Sequence, residues 1–165
     1  WNLQMGFRML LKEYKEPIYW HIRRITVNSE DAQDATQETF IRVFRSFGQY
    51  DRSRSFKAWL YRIATNEALR IIEKRHPTLN IEDSAEAVSM LADEYIDFED
   101  IEAVNLQKVI HSLPRKQRLT FNLRYYDELD FSEIAEITDT TPEGAKANWH
   151  NAKVKISKYL KEYYG

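Results

Sequence analysis

The residues from Thr141 to Asn151 have the types and spacing to do chemistry, and that chemistry is hydrogen bonding rather than bond breaking. At about 100° per residue, Glu143, Ala147, His150 and Asn151 share one side of a helix, with Lys146 and Asn148 on its flanks. Ala145, Trp149, Ala152, Ile156 and Leu160 form an apolar stripe on the other side. A small polar surface at the start of a helix suits a major groove. Asn pairs with base edges, and Lys and the helix N-terminus meet phosphate. Thr141 as N-cap, Pro142 as first residue and Glu143 in the first turn mark that start. By pattern alone, a helical corner that binds no nucleic acid fits equally well.

Other chemistries have little to work with. The chain has no cysteine, which removes disulfides, thiolate zinc sites and cysteine nucleophiles, and suits a reducing compartment. His21, His76, His111 and His150 lack ligand-like spacing, and the acids make no metal-site pattern. No cofactor and no catalysis are expected. No apolar run approaches the ~20 residues of a membrane span, and no signal-peptide pattern is visible.

The elements that must position the polar face are helical. The 43% hydrophobic content is enough to bury a core, and four Gly and four Pro in 165 residues favour an all-α fold. Leu3 to Ile25 recur at helical spacing over residues 3–27, where Pro17 is expected to kink or split the helix. Asn28 or Ser29 caps a second helix over residues 30–47, with Ala32, Thr36, Phe40, Val43 and Phe47 as its buried stripe. Asp34, Glu38, Ile41, Arg42 and Arg45 point away from that stripe; composition alone makes Ile41 a stray apolar residue on a charged surface. Residues 48–55 form a loop with Tyr50, Arg52 and Arg54, followed by a helix over Phe56–Arg75 that is apolar on two sides. Asn66 in that helix is either a satisfied core amide or a polar group lining a site. A helix over residues 101–112 precedes three more: one from Pro114 carrying Leu119, Leu123 and Tyr126, a short one opening at Phe131 and Ser132, and the helix after Thr141. The last two, with the tight turn Asp139–Thr141, read as a helix-turn-helix.

Charge divides the chain in three. Residues 1–76 carry a net +5, residues 77–104 a net −9 with no Lys or Arg, and residues 105–165 a net +2. The middle stretch reads as a flexible acidic linker between two small helical domains.

Four blocks resemble the extracytoplasmic-function sigma factors of bacterial RNA polymerase. DAQDATQETFIRVFR (Asp31–Arg45) is similar to the family's DAEDLVQEVFLRVWR, and FKAWLYRIATN (Phe56–Asn66) to its FRxWLYRIARN. LPRKQRLTFNLR (Leu113–Arg124) is similar to LPxxQRxVFxLR, and SEIAE (Ser132–Glu136) is a family signature. The blocks occur in family order and span nearly the whole chain.

The resemblance implies a cytoplasmic sigma factor that binds core polymerase and directs initiation at promoters. Residues 1–76 would be the promoter-melting domain. Asp34, Gln37, Glu38, Ile41 and Arg45 would meet the clamp helices of the polymerase, which gives Ile41 a role. Tyr50, Arg52, Arg54 and Asn66 would hold a flipped-out base of the −10 element. Residues 105–165 would read the −35 element through Thr141, Glu143, Lys146, Ala147, Asn148, His150 and Asn151. An anti-sigma factor is an implied partner. Where the family has SxGTVKSRLHRAR this chain has TPEGAKANWHNAK, so Asn148, Asn151 and Lys153 stand in place of arginines and the −35 sequence does not carry over. Two competing readings are a stand-alone helix-turn-helix regulator, which would bind duplex without polymerase, and a helical interaction protein, which would bind neither.

Overall fold

The structure is a computed structural model that describes residues 3–78 and 101–164. Every element among the described residues is helical. The chain divides into two compact units, Trp1–Pro77 and Thr78–Gly165. Most of the stretch expected to be a linker, residues 79–100, lies outside the described residues.

The first unit packs α1 (Leu3–Arg23), α2 (Ser29–Ser46) and α3 (Phe56–Arg75) against one another, with a short 3₁₀ turn at Phe47–Gln49. Its start signals are local. The Asn28 side chain accepts the Asp31 amide at 2.8 Å, and the Ser55 hydroxyl accepts the Ala58 amide at 3.1 Å. The core is drawn from all three helices: Ile18 and Ile22, then Ala32, Ala35 and Val43, then Leu60, Tyr61, Ala64 and Ala68. Thr36, Thr39 and Thr65 join it because each hydroxyl donates to the carbonyl four residues back.

Pro17 lies inside a continuous α1, so of the expected kink or split the split does not occur. Pro17 and Glu13, whose carbonyl loses its helical partner, both lie on the exposed side. The helix stops at Arg23, short of residue 27, because the Ile25 and Thr26 amides both turn back to the Ile22 carbonyl. That tightened turn sends Ile25 and Val27 into the core. The buried Arg23 guanidinium donates to the Thr26 carbonyl at 3.3 Å.

His21 ties α1 to α3. It is fully buried, lies 2.8 Å from the Thr65 hydroxyl and packs against the Tyr61 ring. The Thr65 hydroxyl already donates to the Tyr61 carbonyl, so His21 Nε2 carries the proton and donates to Thr65.

The second unit holds α4 (Ile101–Ser112), α5 (Arg115–Tyr125), α6 (Phe131–Thr138) and α7 (Pro142–Tyr164). Val109, Ile110, Leu113, Phe121, Ala152 and Ile156 form its core, with Trp149 and Leu160 packed against it. Pro114 stands just outside α5 as its N-cap rather than in its first turn. Arg118, 3% exposed, donates to the His111 carbonyl at 3.2 Å and so satisfies the end of α4. Leu129 is fully buried, and its amide reaches the Leu123 carbonyl at 3.1 Å. Glu128 takes a left-handed φ of 57° in the connection before it. Asp130 and Glu133 make a capping box that starts the eight-residue α6.

Burial, and then the charge of Arg24, push His21 down to about 3 from the 6.5 of an exposed imidazole. Between those values the unfolded chain binds the extra proton. Stability from this group is therefore complete above pH 6.5 and falls as pH drops, by up to about 1.4 kcal/mol per pH unit. His21→Gln should give a flatter decline of urea-unfolding stability between about pH 6 and pH 4 than the parent. Parallel declines would show that His21 does not titrate on unfolding.

Candidate nucleic-acid and partner interfaces

The turn between α6 and α7 is made by local chemistry. Asp139 adopts a left-handed φ of 54° at the end of α6, and the Thr140 amide returns to the Ala135 carbonyl at 3.0 Å. Thr138 and Thr140 hydroxyls meet at 3.0 Å. The Thr141 hydroxyl then caps α7 by accepting the Gly144 amide at 3.0 Å. A Cβ on Gly144 would sit 3.2 Å from that same hydroxyl oxygen, so glycine keeps the cap uncrowded. Ala145 and Ala152 are fully buried and Trp149 stacks on Phe121 at 5.3 Å, so the opposite side of α7 must face solvent. Glu143, Lys146, Ala147, His150 and Asn151 are exposed there, with Asn148 half-buried at the edge. The seven residues singled out on α7 and its cap thus sit together at the helix N-terminus.

The outer face of α2 is built jointly with α3. Gln37, Ile41 and Arg45 are exposed, and Asp34 and Glu38 are half-buried. Arg75 donates to Asp34 and to the buried Asp31, both at 2.7 Å, and His76 meets Asp31 at 2.8 Å. Asp31 and Asp34 raise Arg75 above the usual guanidinium range through those hydrogen bonds. Two turns beyond Asp34, Arg42 lies 2.5 Å from the buried Glu67 of α3 and 3.9 Å from Glu38. Arg70 reaches the same Glu67 oxygen at 2.8 Å. Phe44, 42% exposed like Ile41, adds a second apolar group and meets Phe7 edge-on at 5.0 Å. The sequence pattern places Arg42 on this face but misses Glu67 and Phe44 as its shapers. A Glu inside an otherwise apolar helical stripe is the signal that would have found Glu67.

The loop before α3 keeps its aromatic close. Tyr50 is half-buried, its hydroxyl donates to the Arg54 carbonyl, and its ring meets Phe56 at 5.3 Å and Trp59 at 5.2 Å. Asp51 organises the turn by accepting the Ser53 hydroxyl and amide, which hold its carboxyl below the usual range. Arg52, Arg54 and Asn66 are exposed, which removes the reading of Asn66 as a core amide. His76 and His21 sit in structural pairs, His111 is buried within α4 and His150 stands on the α7 face.

Residues 10–78 match the family model of Sigma-70 region 2, and residues 103–156 match that of Sigma-70 region 4. The ECF RNA polymerase sigma factor SigW of Bacillus subtilis (strain 168) is 31% identical over 170 residues, which span 96% of this chain and 91% of SigW. The chain belongs to the extracytoplasmic-function (ECF) sigma factors. It acts in transcription initiation, binding core RNA polymerase and directing it to promoters. Two solved structures share the fold of this sigma factor. One is CnrH in complex with the cytosolic domain of CnrY, with a TM-score of 0.72, 19% identity and coverage of 96% of this chain and 90% of that one. The other is RpoE in complex with the anti-sigma factor NepR from Bartonella quintana, with a TM-score of 0.72, 17% identity and coverage of 94% and 97%.

The Arg42–Glu67 contact joins a half-exposed arginine to a nearly buried acid. Arg42→Ala and Glu67→Gln should each destabilise this sigma factor. The double variant should lose less than their sum by about 1 kcal/mol, a figure reduced for the exposed partner. Strict additivity in urea unfolding would mean that the pair does not form in solution.

Proposed function

We propose that this sigma factor reads the −35 element with the exposed side of α7 and its cap, through Thr141, Glu143, Lys146, Ala147, Asn148, His150 and Asn151. The observation that carries the reading is the placement of those residues at a capped helix N-terminus, with the apolar stripe of α7 committed to the core. Asn supplies base-edge hydrogen bonds there, and Lys146 with the N-terminal amides supplies phosphate contacts. Residues 105–165 serve as that reader, residues 1–76 as the polymerase-binding and promoter-melting domain, and residues 77–104 as the connection.

In the first unit, the α2 face of Asp34, Gln37, Glu38, Ile41 and Arg45 docks core polymerase. The exposed Ile41 and Phe44 give it an apolar centre, and the Arg75 and Arg42 pairs hold its carboxylates in place. Arg52, Arg54 and Asn66 line the −10 contact. Tyr50 shapes that loop from within and offers the half of its ring left open. An anti-sigma factor holds the free protein, a reading supported by the shared fold with RpoE, which was solved in complex with NepR. The protein works in the cytoplasm and carries out no catalysis of its own. No described helix is long and apolar enough to cross a membrane.

Mixing the full chain with core polymerase should give co-elution, and the mixture should give run-off transcripts from particular genomic promoter fragments. Glu38→Ala with Arg45→Ala should lower core affinity with unchanged circular dichroism; unchanged affinity would remove the α2 face from the interface. Lys146→Ala should weaken duplex binding at every sequence and lower its salt dependence, as the loss of one phosphate contact does. A sequence-selective loss at constant salt slope would make Lys146 a base reader instead.

A further inference from the structure

We propose that the DNA-contacting surface of this sigma factor continues along the C-terminal half of α7 as a lysine track. This track grips duplex phosphates beyond the bases that the N-terminal half reads. The proposal rests on the reading of that N-terminal half as the −35 reader. From Gly144 to Lys161 the chain has five lysines and no acid. At about 100° per residue, Lys153, Ser157 and Lys161 fall in line with Lys146 and His150, and Lys158 flanks them. His150, Lys153, Val154, Ser157, Lys158 and Lys161 border one shallow surface depression, so the recognition face and the track are continuous through His150. Lys153 is held in place, its ammonium 5.1 Å from the centre of the Trp149 ring. The fifth lysine is turned aside: Lys155 donates to Gln117 of α5 at 3.1 Å.

Helix-dipole stabilisation does not account for this arrangement. It acts over the last turn only, and it selects no side of the helix. Lys153 lies well before the last turn, and the track keeps to the side that carries the recognition face. Lys146 and Lys161 are about 22 Å apart along the axis at ~1.5 Å per residue, further than the ~12 Å width of a major groove. A helix that enters the groove with its N-terminal half therefore brings Lys153, Lys158 and Lys161 toward the bordering phosphates. The small Ser157 leaves room for the backbone to approach. Duplex DNA, with one negative charge per ~1.7 Å, is the partner whose charge and position both match.

The test is a salt titration of the full chain on a fluorescent random-sequence duplex of about 30 base pairs. Lys153→Gln/Lys158→Gln/Lys161→Gln should make the plot of log affinity against log salt shallower by about 0.9 per lost contact, so by roughly 2 to 3 in all. Binding at the lowest salt should be at least tenfold weaker. Lys155→Gln should leave the slope as it is, and the triple Arg variant should bind like the parent. Circular dichroism reports whether each variant keeps its helices. An unchanged slope in the triple Gln variant overturns the track. So does an equal effect per charge from Lys155→Gln, which would make net charge the cause, or a parent chain that does not bind duplex at all. Run-off transcription separates the two levels. Promoter-specific transcripts with a lysine-independent slope sink the track alone, whereas absent transcripts sink the −35 reading beneath it.

Discussion

The packing of α7 against α4 and α5 is the constraint on which the second unit depends. Ala145 and Ala152 are fully buried, and their small side chains let the helix axis come close to its neighbours. Trp149, stacked on Phe121, fixes the rotation of the helix about that axis. Once the rotation is fixed, each other residue of α7 has its direction assigned. The polar set from Glu143 to Asn151 has to point outward, and Lys153 and Lys161 of the later turns lie on the same side. A rotation of one residue position would send Lys146 or Lys153 toward the core, where an unpaired ammonium is costly to bury.

The first unit uses charge where the second uses shape. Asp31 and Glu67 are buried acids, and each would be costly alone. Both are met by arginines across the α2–α3 seam, Asp31 by Arg75 and Glu67 by Arg42, and Arg70 of Glu67's own helix joins the second pair. The same pairs reach the half-buried Asp34 and Glu38 of the outer α2 face. Helix packing and the shape of the outer α2 face are therefore one electrostatic arrangement, and a change at the seam is felt at the surface. His21 adds a tie on the α1 side, and burial keeps its ring neutral.

Much of this was open to reading from the residues because its causes are local. Caps act within three residues, so Asn28 and Thr141 announce the starts of α2 and α7. Burial repeats with the helical period, so Ala32, Thr36, Phe40 and Val43 reveal the inner stripe of α2. The exposed side of α7 follows from its stripe by the same geometry. Pro17 shows where local rules fail. The split expected of it does not occur, and α1 runs on through it to Ile18 and Ile22, both fully buried. Tyr50 shows a second limit. Its place beside a flipped-out base came from the family resemblance, whereas its contacts depend on Phe56 and Trp59 folding back onto the loop.

What the sequence by itself determined is the helical periodicity, the capped turns, the division into basic and acidic stretches, and four motif blocks in family order. These are properties of neighbours along the chain, and hydrogen bonding and side-chain spacing set them over a few residues. Only the tertiary structure decided which charges are paired and which face outward. Asp31 and Arg75 are 44 positions apart, and no local rule joins them. Arg118 closes the end of α4, and Arg124 binds the Leu129 carbonyl while lying over the Phe131 ring. The direction of a long charged side chain is set by whichever partner the fold brings within reach. That partner is fixed only when the helices pack.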